Sequence, residues 1–230
     1  MSNVTSDRPV AEGVATPAYL RGLQTLDSET AVPALAIRGR VPDWLTGTLL
    51  RIGPAKFEVG PDPYRHWFDG AGMIHKFSFS EGRIGYVNRY VRGDKFLDDE
   101  RLGRIGGRSF ATDPCGELFR KGFVHHHLSG NPSVNVITAG DMLMAMGESP
   151  LPIAIDPRTL ETQHDWPWSD DILLDEKGNL RPQHTTAHPH IDRRTGDIVN
   201  SVAVFGRECR YELHRGPGDG SSRTRFATVP

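Results

Sequence analysis

The chain has 230 residues, of which 37% are hydrophobic and 24% charged, and its formal net charge is −2. These values are typical of a soluble globular protein, and they indicate no general attraction to nucleic acid or to an anionic membrane. Two cysteines are too few for a disulfide framework, and no apolar run approaches the roughly 20 residues of a membrane span. The polar residues 1–16 lack the apolar centre of a secretory signal, so we expect a disordered tail and a cytoplasmic protein.

The apolar runs are short, rich in Val, Ile, Phe and Tyr, and separated by evenly spread glycines and prolines, which predicts an all-β protein. Residues 73–80 and 84–91 flank a Glu81-Gly82 turn and are predicted to form a hairpin. A second hairpin is predicted from residues 134–137 to 142–146. In this second hairpin the alternating methionines are expected to pack in the core.

One sequence phrase occurs twice. Residues 154–161 (AIDPRTLE) and 190–197 (HIDRRTGD) both have the pattern of a strand, an Asp-led turn and a second strand. In a strand-rich chain such a recurrence favours four-stranded propeller blades, and two unrelated hairpins would give the same pattern. Further along, residues 215–225 are predicted to be a solvated loop, and 226–229 a strand.

Residues 65–75 (RHWFDGAGMIH) combine aromatic residues with Asp-Gly and Ala-Gly pairs. The pairs predict a turn in which glycine adopts positive φ, flanked by aromatic side chains that need burial. This composition favours an architectural role over a catalytic one.

The best candidate for chemistry is the segment 184–192 (HTTAHPHID). Because residues two apart face the same side of a strand, His188 and His190 are predicted to point at one cavity. Neutral imidazole is the commonest protein ligand for iron, copper and zinc. A structural role for either histidine is the alternative. A cupin-type iron site would place a Glu a few residues after the pair, and residues 191–196 contain none. A zinc hydrolase using His188 and His190 would need an acidic third ligand.

Two further segments have the composition of a possible site. Residues 125–127 are three consecutive histidines, which cannot all face one point, so a polar strand end or loop is favoured. The segment from Leu118 to Phe123 (LFRKGF), which follows Cys115, is either an ordinary surface loop or a patch for peripheral membrane contact, with basic residues at the head groups.

Three motifs in this order closely resemble the carotenoid cleavage oxygenases. They are residues 47–54 (GTLLRIGP), 66–75 (HWFDGAGMIH) and 186–190 (TAHPH), and the resemblance extends from about residue 19 to residue 206. It implies a seven-bladed β-propeller whose axis carries a single Fe(2+) held by four histidines, with a hydrophobic tunnel for substrate. Residues 17–230 would then form the N-terminal part of the propeller, about half of the blades.

The resemblance also implies roles for individual residues. His188 matches the first iron ligand, and His190 matches a position that is usually not a ligand. Glu148 lies where the family keeps a carboxylate that orients a ligand histidine from a later blade, and such a carboxylate would fix that imidazole's tautomer and basicity. The residues from Leu118 to Phe123 match the membrane-facing rim.

Family members are about twice as long, and the other three iron histidines belong to later blades. The resemblance therefore implies an oxygenase that cleaves a conjugated C=C bond of a carotenoid or apocarotenoid with O2 to give two carbonyls, and we expect it to be inactive as this chain alone. The alternative is a non-catalytic propeller fragment that binds a partner chain or a hydrophobic ligand. In either case a C-terminal half or another chain is needed to close the ring. The same missing blades would supply most of the tunnel that selects the substrate, whether a polyene or a stilbene.

Overall fold

The computed structural model describes residues 18–107, 109–112, 130–179 and 181–230. Its strands are β1 (Ala31–Val32), β2 (Gly47–Lys56), β3 (Glu58–Val59), β4 (Asp62–Pro63), β5 (Ala71–Ser80), β6 (Arg83–Tyr90), β7 (Asn135–Ala139), β8 (Met142–Met146), β9 (Ile153–Ile155), β10 (Thr162–Asp165), β11 (Gln183–Thr185), β12 (His190–Ile191), β13 (Ile198–Val204), β14 (Arg210–Gly216) and β15 (Thr224–Val229). The helical elements are one α-helix, α1 (Asp94–Leu102), and 3-10 turns at Ala18–Leu23 and Trp67–Asp69. The expected tail and the segments around residues 115, 118–123 and 125–127 lie outside the described residues.

Within the described residues the strands form three antiparallel sheets and one small ribbon. Sheet 1 has the order β1-β6-β5-β2, and sheet 2 has the order β10-β9-β8-β7. Sheet 3 has the order β11-β13-β14-β15, with β12 also paired to β13, and β3 pairs with β4 in the ribbon. The all-β prediction is confirmed for the body of the chain.

The three sheets approach one another along one edge. The edge strand β2 of sheet 1 contacts the edge strand β7 of sheet 2. Asn135, at the start of β7, donates a side-chain hydrogen bond of 2.9 Å to the carbonyl oxygen of Ala187, between β11 and β12 at the edge of sheet 3. We call this line of contact the inner edge. Sheets that meet along one edge are arranged as the blades of a propeller are, and the described sheets do not close a ring.

Sheet 2 is buried on both faces. Leu143 and Ala145 of β8 pack in a cluster with Ile74 of sheet 1. Met144 and Met146 of the same strand pack in a second cluster with Ile198 of sheet 3. Successive side chains of one strand therefore contribute to two different cores, and the expected core role of these methionines is confirmed.

Both predicted hairpins are present. β5 and β6 pair from Ser80–Arg83 onward around Glu81 and Gly82, which have φ of 50° and 71°. β7 and β8 pair across Gly140, whose φ is 56°. Positive φ at the turn residues matches the twist of the two strands, which is why Gly is favoured there.

The repeated phrase forms the same local turn twice, but in different places of the sheets. Asp156 accepts from the backbone N–H of Arg158 at 2.7 Å, and Asp192 accepts from that of Arg194 at 2.9 Å. The first turn joins the last two strands of sheet 2, whereas the second joins β12 and β13 at the beginning of sheet 3. The two turns therefore do not mark equivalent places of two blades, because an Asp-led turn is a local structure that suits any hairpin. The four strands expected of a blade are present in sheets 1 and 2.

The glycines of residues 65–75 have a structural role, as predicted. The reason at Gly72 is close approach of another backbone segment and not the expected positive φ. Gly70 has a φ of −59°, so the expected positive φ is wrong there. A Cβ on Gly72 would lie 2.5 Å from the carbonyl oxygen of Pro132, so this glycine is needed for close backbone approach. The flanking Trp67 and Phe68 are 51% and 50% exposed, which contradicts their expected burial.

Helix α1 was not predicted from the sequence. Its Phe96 ring stacks on Tyr90 at 5.4 Å, so the helix covers the face of sheet 1 that points away from sheet 2. Lys95 and Asp99, which are 6% and 3% exposed, form a buried ion pair of 2.5 Å, and the hydroxyl of Tyr64 donates to the same carboxylate at 2.7 Å. The helix is thus joined to the sheet by a buried polar cluster as well as by an aromatic contact.

The predicted loop at residues 215–225 is shorter and less solvated than expected. β14 continues to Gly216 and β15 begins at Thr224. Between them the carbonyl oxygen of Gly220 accepts a 2.7 Å hydrogen bond from the indole N–H of Trp166. Arg223 forms a 2.8 Å ion pair with Asp170, and their side chains are 8% and 9% exposed.

We predict that Gly72→Ala lowers the free energy of unfolding by about 2 kcal/mol, because the new methyl group must displace the backbone at Pro132. Gly53→Ala is the matched control, since no atom lies within 4 Å of its added Cβ, and it should change stability by less than about 0.5 kcal/mol. Urea denaturation measures both. Equal effects of the two substitutions would contradict the close-approach explanation.

Candidate functional site

The segment that carries His188 is not a strand. β11 ends at Thr185 and β12 begins at His190, so His188 lies in the connection between them at the inner edge. The prediction that one strand presents His188 and His190 on a common face is therefore wrong. Proline at position 189 removes a backbone donor, which disfavours a continuous strand at this point.

Hydrogen bonds from two directions hold this connection in place. The Asn200 side chain on β13 donates to the Thr186 carbonyl oxygen at 3.1 Å, and Asn135 donates to that of Ala187 at 2.9 Å. The backbone N–H of His188 donates to Thr186 Oγ1 at 3.2 Å. Ala187 is fully buried between sheets 2 and 3, while the imidazole of His188 is exposed. The backbone is thus fixed, and the side chain of His188 is accessible at the inner edge.

Glu148 lies at the same end of the sheets as His188. It follows β8, whose last residue Met146 pairs with Asn135, and Asn135 in turn binds the residue before His188. The Glu148 side chain is exposed. Among the residues that the structure describes, no hydrogen bond or ion pair joins it to His188.

These groups do not form a metal centre by themselves. In the described ranges no group of three or more His, Cys, Asp or Glu side chains could hold a metal ion. A single imidazole does not retain iron(II) against water, because affinity comes from several preformed ligands.

Asn135 and Asn200 are the residues that the sequence reasoning missed. Each stands among apolar residues of a strand, Asn135 before Val-Ile and Asn200 in Ile-Val-Asn-Ser-Val. A side-chain amide that is buried in such an apolar run needs hydrogen-bond partners. An asparagine within an apolar strand was therefore the sequence signal for these two residues. The signal indicates a bonded side chain but not the partner, which lies in a different sheet for Asn135.

A buried charge cluster lies on the same sheet as the His188 segment. Glu212, 1% exposed, accepts two hydrogen bonds of 3.0 and 2.9 Å from Arg181, and further bonds from Arg210 and Arg225. Burial raises the pKa of Glu212, but the hydrogen bonds from Arg181 and Arg210 outweigh it and lower the pKa to about 2. This carboxylate therefore stays ionised and fixes guanidinium groups from β14, β15 and the residues before β11.

The sequence matches the family model described as retinal pigment epithelial membrane protein (RPE65) over residues 23–228. The β,β-carotene 15,15'-dioxygenase of Gallus gallus is 34% identical over 193 residues, which cover 79% of this chain and 35% of that protein. The corresponding Mus musculus enzyme is 33% identical over 206 residues, which cover 84% of this chain and 33% of that protein. The chain spans about a third of the length of the curated relatives it matches.

Solved structures agree with the sequence matches. A cobalt-substituted Synechocystis apocarotenoid oxygenase superimposes with a TM-score of 0.73 and 28% identity, covering 91% of this chain and 43% of that chain. A chimera of that oxygenase and RPE65 gives a TM-score of 0.69 and 26% identity, covering 92% and 44%.

We predict that Asn135→Asp loosens the connection that carries His188. The aspartate has no N–H to donate to the Ala187 carbonyl, so a buried acceptor loses its partner at a cost of about 2 kcal/mol. Amide hydrogen exchange across residues 185–190 should become faster. Gln163→Glu, which removes an amide donor from an exposed side chain, is the control, and unchanged exchange in Asn135→Asp would contradict the anchoring role.

We predict that Glu212→Gln removes an acid-sensitive contribution to stability. Because the folded-state pKa lies below the ordinary value of 4.5, the carboxylate stabilises the fold above about pH 5, and this contribution falls as the pH drops toward 2. Glu212→Gln should lower the free energy of unfolding at pH 7 by about 3 kcal/mol and flatten its decrease below pH 5. Denaturation at several pH values measures this, with the exposed Glu208→Gln as control. A parallel pH profile in Glu212→Gln and the parent would contradict the assignment.

Proposed function

Because this chain belongs to the carotenoid oxygenase family described by the RPE65 model, we propose that it forms part of an iron(II)-dependent oxygenase. The proposed reaction cleaves a conjugated C=C bond of a carotenoid or apocarotenoid with O2 and gives two carbonyl products. The matched dioxygenases, whose names specify β,β-carotene, support this reaction class. The observation in the chain itself that supports it most is the hydrogen-bonded segment that presents His188 at the inner edge.

His188 is the proposed metal ligand. Its backbone is held from sheets 2 and 3, and its imidazole is exposed at the line where the sheets converge. A ligand to a shared metal requires both features: a fixed backbone and a ring that is free to meet groups from elsewhere. The cobalt-substituted relative supports a metal centre in this family.

The described residues of this chain do not fit an iron centre on their own. They offer one imidazole at the inner edge and no cluster of ligands around it. We therefore place the remaining three ligands in a part of the enzyme that the chain does not contain, and we derive no chemical step at the metal. Glu148 is proposed to orient one of those later histidines, in agreement with its position at the same end of sheet 2.

The proposed substrates are a hydrophobic polyene and O2, and nucleic acid is not an expected partner. Peripheral membrane contact is proposed through Leu118 to Phe123, which lies outside the described residues. None of the described helices is long and apolar enough to cross a membrane.

The second candidate is a non-catalytic propeller fragment that binds a partner chain or a hydrophobic ligand. The single imidazole at the inner edge favours this candidate for the 230 residues taken alone. The two candidates differ in one measurable respect, because only the first requires His188 to bind metal in a completed ring.

We predict that the chain alone retains no stoichiometric iron, whereas a chimera does. In the chimera, residues 23–228 replace the matching region of Synechocystis apocarotenoid oxygenase, which supplies the other blades. Metal analysis should find one iron per folded chimera and none in its His188→Ala variant, with loss of apocarotenoid cleavage. His190→Ala is the matched control and should keep its iron.

Two outcomes would contradict the proposal. Stoichiometric iron in the His188→Ala chimera would remove His188 as a ligand. A chimera that folds, as judged by a cooperative thermal transition, and binds no iron would favour the fragment without catalytic function.

A further inference from the structure

A small cavity lies between sheets 2 and 3, behind the segment that holds His188. It offers about 20 Å³ to a water molecule and is lined by Met144, Trp168, Thr185, Asn200, His214 and Arg223, among others. A cavity needs roughly 10–15 Å³ of such space to hold one water. The size therefore admits a water molecule.

His214 is a buried polar side chain that lines this cavity. Its side chain is 1% exposed, and neither ring nitrogen has a hydrogen-bond partner among the described residues. Nε2 lies 3.4 Å from a carboxylate oxygen of Glu212. A carboxylate on one side of an imidazole favours the proton on the nearer nitrogen, so Nε2 carries the hydrogen and Nδ1 is an acceptor.

Burial lowers the pKa of His214, and the Arg223 guanidinium lowers it further. The ring is therefore neutral near pH 7, and it faces charged groups of both signs. Arg223, which lies 4.2 Å from the Trp168 ring centroid and lines the cavity, is paired with Asp170, and Glu212 is paired with three guanidinium groups. The charges around the cavity are therefore balanced, which favours neither a cation nor an anion inside it. A neutral ligand that donates to Nδ1 satisfies all of these conditions.

Thr185 supplies the second polar partner. Its Oγ1, on a residue that is 7% exposed, accepts a 3.0 Å hydrogen bond from the Asn200 side chain. The hydroxyl proton remains available to donate, since a threonine hydroxyl both donates and accepts.

We propose that the cavity binds one water molecule, which donates to His214 Nδ1 and accepts from Thr185 Oγ1. The water connects the buried His214 to Asn200, whose amide also holds the carbonyl oxygen of Thr186. Thr186 Oγ1 in turn accepts from the backbone N–H of His188. His214 is then a positioning residue for the His188 segment. This role would affect metal binding only if His188 is a metal ligand, as the proposed function states.

The bound water is tested on the intact chain. A high-resolution crystal structure should show one ordered water within hydrogen-bond distance of His214 Nδ1 and Thr185 Oγ1. Long-range ¹H–¹⁵N spectra should show His214 as the neutral tautomer protonated at Nε2. An empty cavity, or a proton on Nδ1, would overturn the proposal, and neither measurement requires a variant to fold.

The link to His188 is tested with His214→Phe, which removes the acceptor and leaves the Asn200–Thr185 bond in place. Amide exchange at Thr186 and His188 should become about tenfold faster in His214→Phe and in Thr185→Val, and stay within about twofold in Thr185→Ser, which keeps the hydroxyl. An effect in Thr185→Val without one in His214→Phe would show that Asn200 acts without the water, and would overturn the positioning role.

Failure of this proposal and failure of the proposed function are distinguishable. The exchange, tautomer and density measurements contain no iron. A chimera that lacks iron while the water and tautomer are as stated would refute the oxygenase assignment and leave the water site intact.

Discussion

The burial of sheet 2 on both faces is the constraint on which the rest of the structure depends. Leu143 and Ala145 of β8 belong to the core shared with sheet 1, and Met144 and Met146 belong to the core shared with sheet 3. A strand that supplies two cores fixes the angular relation of three sheets at once, since neither neighbour can rotate without opening a cavity. The convergence of the edge strands follows from this packing.

Because the edge strands converge, a polar side chain of one sheet can form a hydrogen bond to the backbone of the next sheet. Asn135 belongs to sheet 2, yet its partner is the carbonyl oxygen of Ala187 at the edge of sheet 3. Asn200 holds the same connection from within sheet 3. Two amides from different sheets, together with the backbone hydrogen bond from Thr186 to Ser201 of β13, thus fix this connection, and the exposed His188 ring owes its position to them.

Sheet 3 combines an apolar interface with a dense set of charges. Glu212 is held by three guanidiniums, and His214 beside it lines the cavity toward sheet 2. Such a cluster costs desolvation energy, and it persists only because each carboxylate oxygen is bonded. Burial and the nearby Arg223 lower the pKa of His214 beside this cluster. The metal ligand candidate, the amides that hold it and the buried charges form one connected region.

The sequence by itself determined the strand-rich class, the two hairpins and both Asp-led turns, because these depend on alternation and on turn residues that act over a few positions. Three motifs in order, residues 47–54, 66–75 and 186–190, were enough to identify the family. Only the tertiary structure decided that the two Asp-led turns occupy different places in their sheets, that Gly72 is required by the approach of Pro132, and that Lys95 and Asp99 anchor a helix. It also decided that His188 lies outside a strand and that Asn135 reaches another sheet. Each of these depends on contacts between residues far apart in the chain. A local sequence pattern does not determine which distant residue will be in contact.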